Sequence, residues 1–186
     1  MGIGLLIAKS LYLMLPCYLA NSSPVLSKNL LKSLAKPIDG GMKFRGQPIL
    51  GSHKTWRGLI MACITGIMVF VLQKYLYSFG FFKDLSIIDY DTMFSSYSVL
   101  PGFLFGFGAI LGDAVKSFFK RRAGIESGGR WIPFDQLDFI VGALVMMSFI
   151  YVPPLENIIV IVIFTPLIHI TSNHLAFYLK IRKEKW

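Results

Sequence analysis

The densest set of side chains able to do chemistry lies between Asp113 and Asp138. Lys116, Ser117, Lys120, Arg121, Arg122 and Arg130 fill the stretch, and Asp113, Asp135 and Asp138 mark its ends. An apolar run precedes it and another follows. In such a setting a polar block must sit at a membrane surface or in a wet cavity. Its cations suit phosphate. Its carboxylates are hard oxygen ligands, which select Mg²⁺ or a similar ion over zinc. Asp135 and Asp138 stand at i, i+3, on one face of a first helical turn that Pro133 is suited to open. Capping and dipole stabilisation, worth about 0.3–1 kcal/mol for each exposed carboxylate, explain one aspartate better than two. Two carboxylates on one face repel unless a cation lies between them. Asp113 is followed at helical spacing by Lys116, Ser117 and Lys120, so the four share a face if the helix continues. An internal ion pair of Asp113 with Lys116 or Lys120 is the alternative to a metal, and the two can coexist. His53, His169 and His174 are scattered, and the last two read as packed within a bundle. Asn21 and Asn173 fall at or near helix ends, where a substrate contact competes with capping or interhelical hydrogen bonding.

The elements that must position these groups are membrane spans. Of 186 residues, 54% are hydrophobic and only 16% charged, with mean hydropathy +0.60; a soluble domain carries about 25% charged residues. The pattern predicts an all-α integral membrane protein in a single domain, with about five transmembrane helices over residues 3–20, 59–76, 97–115, 137–152 and 157–179. The first contains Lys9 and Pro16. No basic region precedes it and no cleavage site is clear, so it is read as a span rather than a signal peptide. The third carries Gly102, Gly106, Gly108 and Gly112, which predicts a central helix with close backbone neighbours. Pro153-Pro154 ends the fourth, and Pro166 sits inside the fifth as a candidate kink. Cys17 and Cys63 lie in apolar runs and give no disulfide framework.

The net charge of +9 is unevenly placed. Lys28, Lys32, Lys36, Lys43, Arg45, Lys54 and Arg57 crowd the loop at 21–58. Five more cations occupy the loop at 116–136, and Lys180, Arg182, Lys183 and Lys185 the tail. With five spans these regions share one side, which the positive-inside rule makes cytoplasmic, with the amino terminus outside and the carboxyl terminus inside. Anionic lipid headgroups and anionic substrates suit this charge; nucleic acid is not expected, because the basic residues flank spans. In the first loop Pro37, Gly40-Gly41, Gly46, Pro48 and Gly51 punctuate the chain. Such a loop can cradle phosphate, and an ordinary solvated loop carries the same signals.

The motif GDAVKSFFKRRAGI, with the later PFDQLD, resembles the signature of the membrane phosphatidate cytidylyltransferases. That family's Gly-Asp, Ser-x-x-Lys-Arg and closing Asp-Arg-x-Asp fall on Gly112-Asp113, on Ser117 with Lys120-Arg121, and on Asp135 with Asp138. GSHKTWRG, Gly51 to Gly58, is similar to the family's Ser-Pro-Lys-Lys-Thr-Trp-Glu-Gly block. The small size and the run PIDGGMKFRGQPILGSHKTWRG look like the archaeal branch. The chain departs from the pattern at Glu126-Ser127, where the family has Lys-Asp, and at Gln136, where it has Arg. The His-Gly-Gly before the closing aspartates is absent, and Trp131-Ile132-Pro133 stands nearby. The resemblance implies CTP, one or two Mg²⁺ ions and an unsaturated isoprenoid ether-lipid phosphate (digeranylgeranylglyceryl phosphate), joined with release of pyrophosphate. It makes Asp113, Asp135 and Asp138 the metal ligands and, with Lys120, the catalytic set. Asn21, Lys54, Thr55, Arg57, Lys116, Ser117, Arg121 and Asn173 are then substrate-binding residues. The rival expectation is a small transporter or channel with a basic cytoplasmic face, resting on Lys9, Asp113 and the glycine-rich helix. Transporters often carry repeated halves, and no internal repeat is visible. A scaffold subunit offering a basic face to lipid is a third reading. Oligomeric state stays open, a homo-oligomer included.

Overall fold

The structure is a computed structural model that describes residues 2–92, 98–126 and 129–180. Tyr97, at the expected start of the third span, lies outside the described residues, as do Ser127, Gly128 and the tail cations Arg182, Lys183 and Lys185. Among the described residues six α-helices carry the fold: α1 (Ile3–Leu13), α2 (Leu15–Leu26), α3 (Trp56–Ser78), α4 (Leu100–Arg122), α5 (Phe134–Met147) and α6 (Leu155–Tyr178). A two-residue hairpin, β1 (Lys43–Phe44) with β2 (Gln47–Pro48), sits in the loop between α2 and α3. Its turn residues Arg45 and Gly46 have φ of 51° and 79°, the paired positive values that a two-residue hairpin turn requires.

Local chemistry sets the helix starts. Pro16 lies in the first turn of α2 and Pro101 in that of α4, where a missing N–H costs nothing. The Thr55 hydroxyl accepts from Gly58 N at 3.2 Å and caps α3. Pro154 precedes α6, and Pro166 is carried inside it.

The expected first span is a bent pair, with α1 and α2 meeting at 48°. Among the described residues α3, α4 and α6 can each cross a membrane by length and composition, and α1 with α2 makes a fourth crossing where the bent pair acts as one span. The expected fourth span, 137–152, is helical only from Phe134 to Met147. At about 1.5 Å per residue this is roughly 21 Å, short of a hydrocarbon core of about 30 Å. The cause is the non-helical run from Ser148 to Pro154, which connects α5 to α6. The perimeter is apolar: Met68 is 66% exposed, Leu167 58% and Val145 54%. Lipid tails, not water, suit such a surface.

The glycine-rich helix α4 is central. A Cβ on Gly102 would meet the α3 backbone at Ile67 and Gly66, and one on Gly106 would meet the Ala62 carbonyl. On the other side, Gly108 abuts Gly142 and Ala143 of α5, and Gly112 abuts the Asp138 carbonyl. Backbones this close leave no room for a side chain, which is how small residues seal helices together in lipid. Phe70, Phe105, Phe139, Ile140, Met147 and Ile161 fill the buried core around that seam. Cys17 is buried there, and its thiol lies 3.7 Å from the Phe139 carbonyl.

Candidate active site

The end of α2, the starts of α3 and α5, and the carboxyl-terminal halves of α4 and α6 surround one cavity of about 750 Å³, within the range of small-molecule sites. Asp113, Lys116 and Lys120 reach it from α4, and Asp135, Gln136 and Asp138 from α5. Asn21, His53, Lys54 and Thr55 come from the first loop and its flanks, and His169 and Asn173 from α6.

The carboxylates meet because Gly112 lets the first turns of α5 come against α4 one residue before Asp113. Lys116 Nζ stands among them, 3.1 Å from Asp113 Oδ1, 2.8 Å from Asp135 Oδ1 and 2.8 Å from Asp138 Oδ2. The cation that two same-face aspartates demand is thus an ammonium of the chain itself. Lys54 pairs with Asp113 Oδ2. Lys120 donates to both oxygens of Asp135, at 2.8 and 2.9 Å, and the Trp131 N–H donates to the same carboxylate at 2.6 Å. Asp138 Oδ1 accepts from the Phe139 N–H at 2.7 Å.

As the side chains stand, among the described residues no group of His, Cys, Asp or Glu closes on a common point at metal-ligand distance. The donor set nevertheless fits a hard divalent ion. Carboxylate oxygens from three residues already converge on one positive charge at 2.8–3.1 Å, and hard oxygen donors of this kind are what Mg²⁺ takes. Lys116 would have to leave for the ion to bind there.

Several expected site residues are placed elsewhere. Arg57 does not line the cavity; its Nη1 donates to the Lys28 carbonyl at 2.7 Å. Ser117 and Arg121 are buried on α4 and do not line it either. Each follows a lining lysine by one residue, about 100° further round the helix, which carries Arg121 off the lining arc and leaves Ser117 at its edge, one turn past Asp113. His169, expected as packing alone, both lines the cavity and lies against the Phe139 ring, with centroids 5.8 Å apart. Its Nδ1 is 3.4 Å from Asn173 Nδ2.

Two residues deliver Lys54 in a way that sequence reasoning does not foresee: Asp39 is not singled out by it, and Arg122 counts only as a cation of the polar block. Asp39 is buried and accepts from Gly41 N at 3.0 Å, Leu50 N at 2.8 Å and Gly51 N at 3.4 Å. Burial pushes its carboxyl up, and the Leu50, Gly41 and Gly51 N–H groups more than offset this, holding it below the usual aspartate value. The Asp-Gly-Gly sequence was its signal, since an aspartate often accepts from the backbone two residues on. Arg122 donates to the Pro48 and Ile49 carbonyls, each at 3.0 Å, and stacks 3.8 Å over Phe118 and 5.3 Å from Phe44. It ties the hairpin to the end of α4. The Ile38 N–H then donates to the Lys54 carbonyl at 2.8 Å, closing the loop at its base.

Comparison with known proteins bears on the whole of this scaffold. The model of the CarS-like family, CDP-archaeol synthase, matches residues 3–186. The chain belongs to the CDP-archaeol synthase family. The CDP-archaeol synthase of Thermococcus gammatolerans is 37% identical over 178 residues, 95% of each chain. That of Methanocaldococcus jannaschii is 36% identical over 182 residues, 97% of this chain and 98% of its own. A solved structure, described as an intramembrane enzyme for archaeal membrane lipids biosynthesis, is 30% identical with a TM-score of 0.64, covering 87% of this chain and 90% of that one. Membership of the CDP-archaeol synthase family agrees with the resemblance read from the motifs, and the transporter reading finds no support in it.

Proposed function

We propose that this multi-pass membrane protein is a CTP-dependent cytidylyltransferase that makes CDP-archaeol from an unsaturated isoprenoid ether-lipid phosphate. One observation carries the reading: acids from α4 and α5 and ammoniums from α4 and the first loop line a single cavity at one end of an otherwise apolar bundle. A phosphate oxygen of the lipid attacks the α-phosphorus of CTP. The new O–P bond forms as the bond from the α-phosphorus to the bridging oxygen breaks, and pyrophosphate leaves with that electron pair. The nucleophile is already anionic near neutral pH, so no general base is required. Catalysis is then alignment and neutralisation of charge.

Asp113, Asp135 and Asp138 would hold Mg²⁺, one ion or two. When bound, Mg²⁺ offsets charge on the α-phosphate and the leaving pyrophosphate. Lys120 and Lys54 lie on the flanks of the acids, placed to bind phosphate oxygens once a nucleotide draws them off the carboxylates. Thr55 and Asn21 line the side next to Lys54, and Asn173 the side of α6. The isoprenoid chains would lie sideways among the helices, leaving the phosphate at the interface. The loops at 21–58 and 116–136 would face the cytoplasm, with the amino terminus outside.

The test is pyrophosphate release by purified protein from CTP, with and without digeranylgeranylglyceryl phosphate, in Mg²⁺ or in EDTA. Release that needs both lipid and Mg²⁺ is the expected result. Release without lipid would refute the transfer reaction, and undiminished release in EDTA would refute the metal assignment alone.

A further inference from the structure

The point where the carboxylates converge is already occupied by a charge of the protein's own. Lys116 Nζ has three hydrogens, and Asp113, Asp135 and Asp138 each present an oxygen to it within 3.1 Å. It donates a hydrogen bond to Asp135 and pairs by charge with Asp113 and Asp138, so its charge is turned toward the acids and not toward a phosphate while this holds. Lys54 answers Asp113 from one flank and Lys120 answers Asp135 from the other. The cluster therefore sets acids against an equal number of ammoniums and is neutral as a whole. A neutral cluster offers a divalent ion no net attraction. An arriving ion must displace an ammonium, and the one at the shared point is Lys116.

We propose that Lys116 is a resident counter-cation that trades places with the divalent ion. Its ammonium sits at the point shared by Asp113, Asp135 and Asp138 in the empty site, and it swings into the cavity when the ion arrives. The proposal rests on the magnesium reading above and extends it to a residue outside the metal ligands. The stem allows the exchange: four rotatable carbons carry a compact charge from a backbone fixed in α4. In the empty state the arrangement gives Asp138 its ammonium, Asp113 and Asp135 having Lys54 and Lys120 besides, and so spares the bundle an unpaired carboxylate in largely apolar surroundings, which would be destabilising. In the loaded state the released ammonium needs an anion, and a triphosphate provides one in the same cavity. Ion and nucleotide are thus coupled: each makes room or charge for the other, and the effect is reciprocal.

Manganese binding by the purified full-length protein, read from the electron paramagnetic resonance of free Mn²⁺, tests this without turnover. The titration is run with and without a CTP analogue whose α,β-bridge is a methylene. In the wild-type protein the analogue should tighten Mn²⁺ binding at least tenfold. Lys116→Met should bind Mn²⁺ at least tenfold more tightly than wild type when no nucleotide is present, and the analogue should then add little. Equal Mn²⁺ affinity of the two proteins without nucleotide would overturn the exchange while leaving the metal reading intact. No Mn²⁺ binding by either, with or without analogue, would overturn the metal reading and the exchange with it. Should Lys116→Met not fold, acylation of wild-type lysines by an N-hydroxysuccinimide ester, followed by mass spectrometry, decides the matter. Labelling of Lys116 should rise several-fold at saturating Mn²⁺, and unchanged labelling would overturn the proposal.

Discussion

Asp39 and Asp113 are both sheltered carboxylates, and the molecule answers them in opposite ways. Asp39 is held by backbone N–H groups of its own loop, from Gly41, Leu50 and Gly51. Asp113 is held by the ammoniums of Lys54 and Lys116. Backbone donors are fixed by the turn that presents them and cannot be exchanged for anything. Ammoniums ride on long stems and can give way to another cation or turn to a phosphate. The first arrangement builds a scaffold, and the second leaves a site able to change partners. The difference also separates Arg122, committed to carbonyls and aromatic faces, from Lys120, committed to a carboxylate that a metal could take over.

The largest effect should come from removing an exchangeable acid. Asp138→Asn or Asp135→Asn should lower pyrophosphate release by roughly 10³-fold, the scale of losing one preorganised electrostatic group. Circular dichroism and gel filtration in detergent should be unchanged. Full activity in both variants would end the comparison, because those acids would then be scaffold like Asp39.

Next is the approach that brings the acids together. Gly112→Ala places a methyl against the Asp138 carbonyl, and Gly66→Ala places one against the Gly102 carbonyl. Both should cost about 1–3 kcal/mol of stability through overpacking, seen as lower melting temperatures. Only Gly112→Ala should also reduce turnover per folded molecule, since only it separates α4 from α5 beside Asp113. Equal activity losses would mean that the seam matters as a whole and that the site has no special dependence on Gly112.

A third pair sets a cation in the cavity against one outside it. Lys120→Ala should raise the KM for CTP roughly tenfold to a hundredfold, the range expected for a charged hydrogen bond worth about 1.5–3 kcal/mol, with little change in KM for lipid. Arg57→Ala should shift either constant by no more than a few-fold, because its guanidinium sits on the Lys28 carbonyl. A larger effect at Arg57 would show that it turns inward on binding.

The smallest effect belongs to Asp39 and appears in acid. Its carboxyl is held below the usual value in the folded loop, so the stability it contributes is complete above the ordinary aspartate pKa of about 3.9. That contribution is lost as pH falls further, through the lower folded value. Asp39→Asn should make the loop at 37–55 more sensitive to proteolysis at pH 7. It should also remove the extra sensitivity that wild type gains when proteolysis is run with an acid protease below pH 4. If wild type and variant are cleaved alike at pH 7, Asp39 does not hold the loop.

Much of the architecture was legible in the chain because it follows from local properties. Apolar runs of span length mark α3, α4 and α6, and the four glycines of α4 mark it as the helix its neighbours press against. The limit was α5, where hydropathy continues past Met147 and the helix does not. Of the candidate site, Asp113, Asp135, Asp138, Lys54 and Lys120 could be picked out by type and spacing. Arg57 and Arg121 looked equally suitable, because a sequence shows that a cation is present and not which way its helix turns it. Asp39 was overlooked because its partners at Leu50 and Gly51 come close only after the hairpin has formed.

Composition and motif alone determined that this is a membrane protein of a cytidylyltransferase kind, with Asp113, Asp135 and Asp138 and a dense set of cations in one polar block. Those are facts about residue types and their order, which a linear chain carries without folding. Tertiary structure alone decided which ammonium meets which carboxylate from one element to another. Lys54 and Asp113 are 59 positions apart, and Lys116 reaches acids of α5 only because Gly112 lets two backbones touch. The pairing of Lys116 with the α5 acids at 2.8 Å depends on helix rotation and approach, and no spacing along one chain encodes either; only its pairing with Asp113, three residues back on the same helix, could be read from spacing.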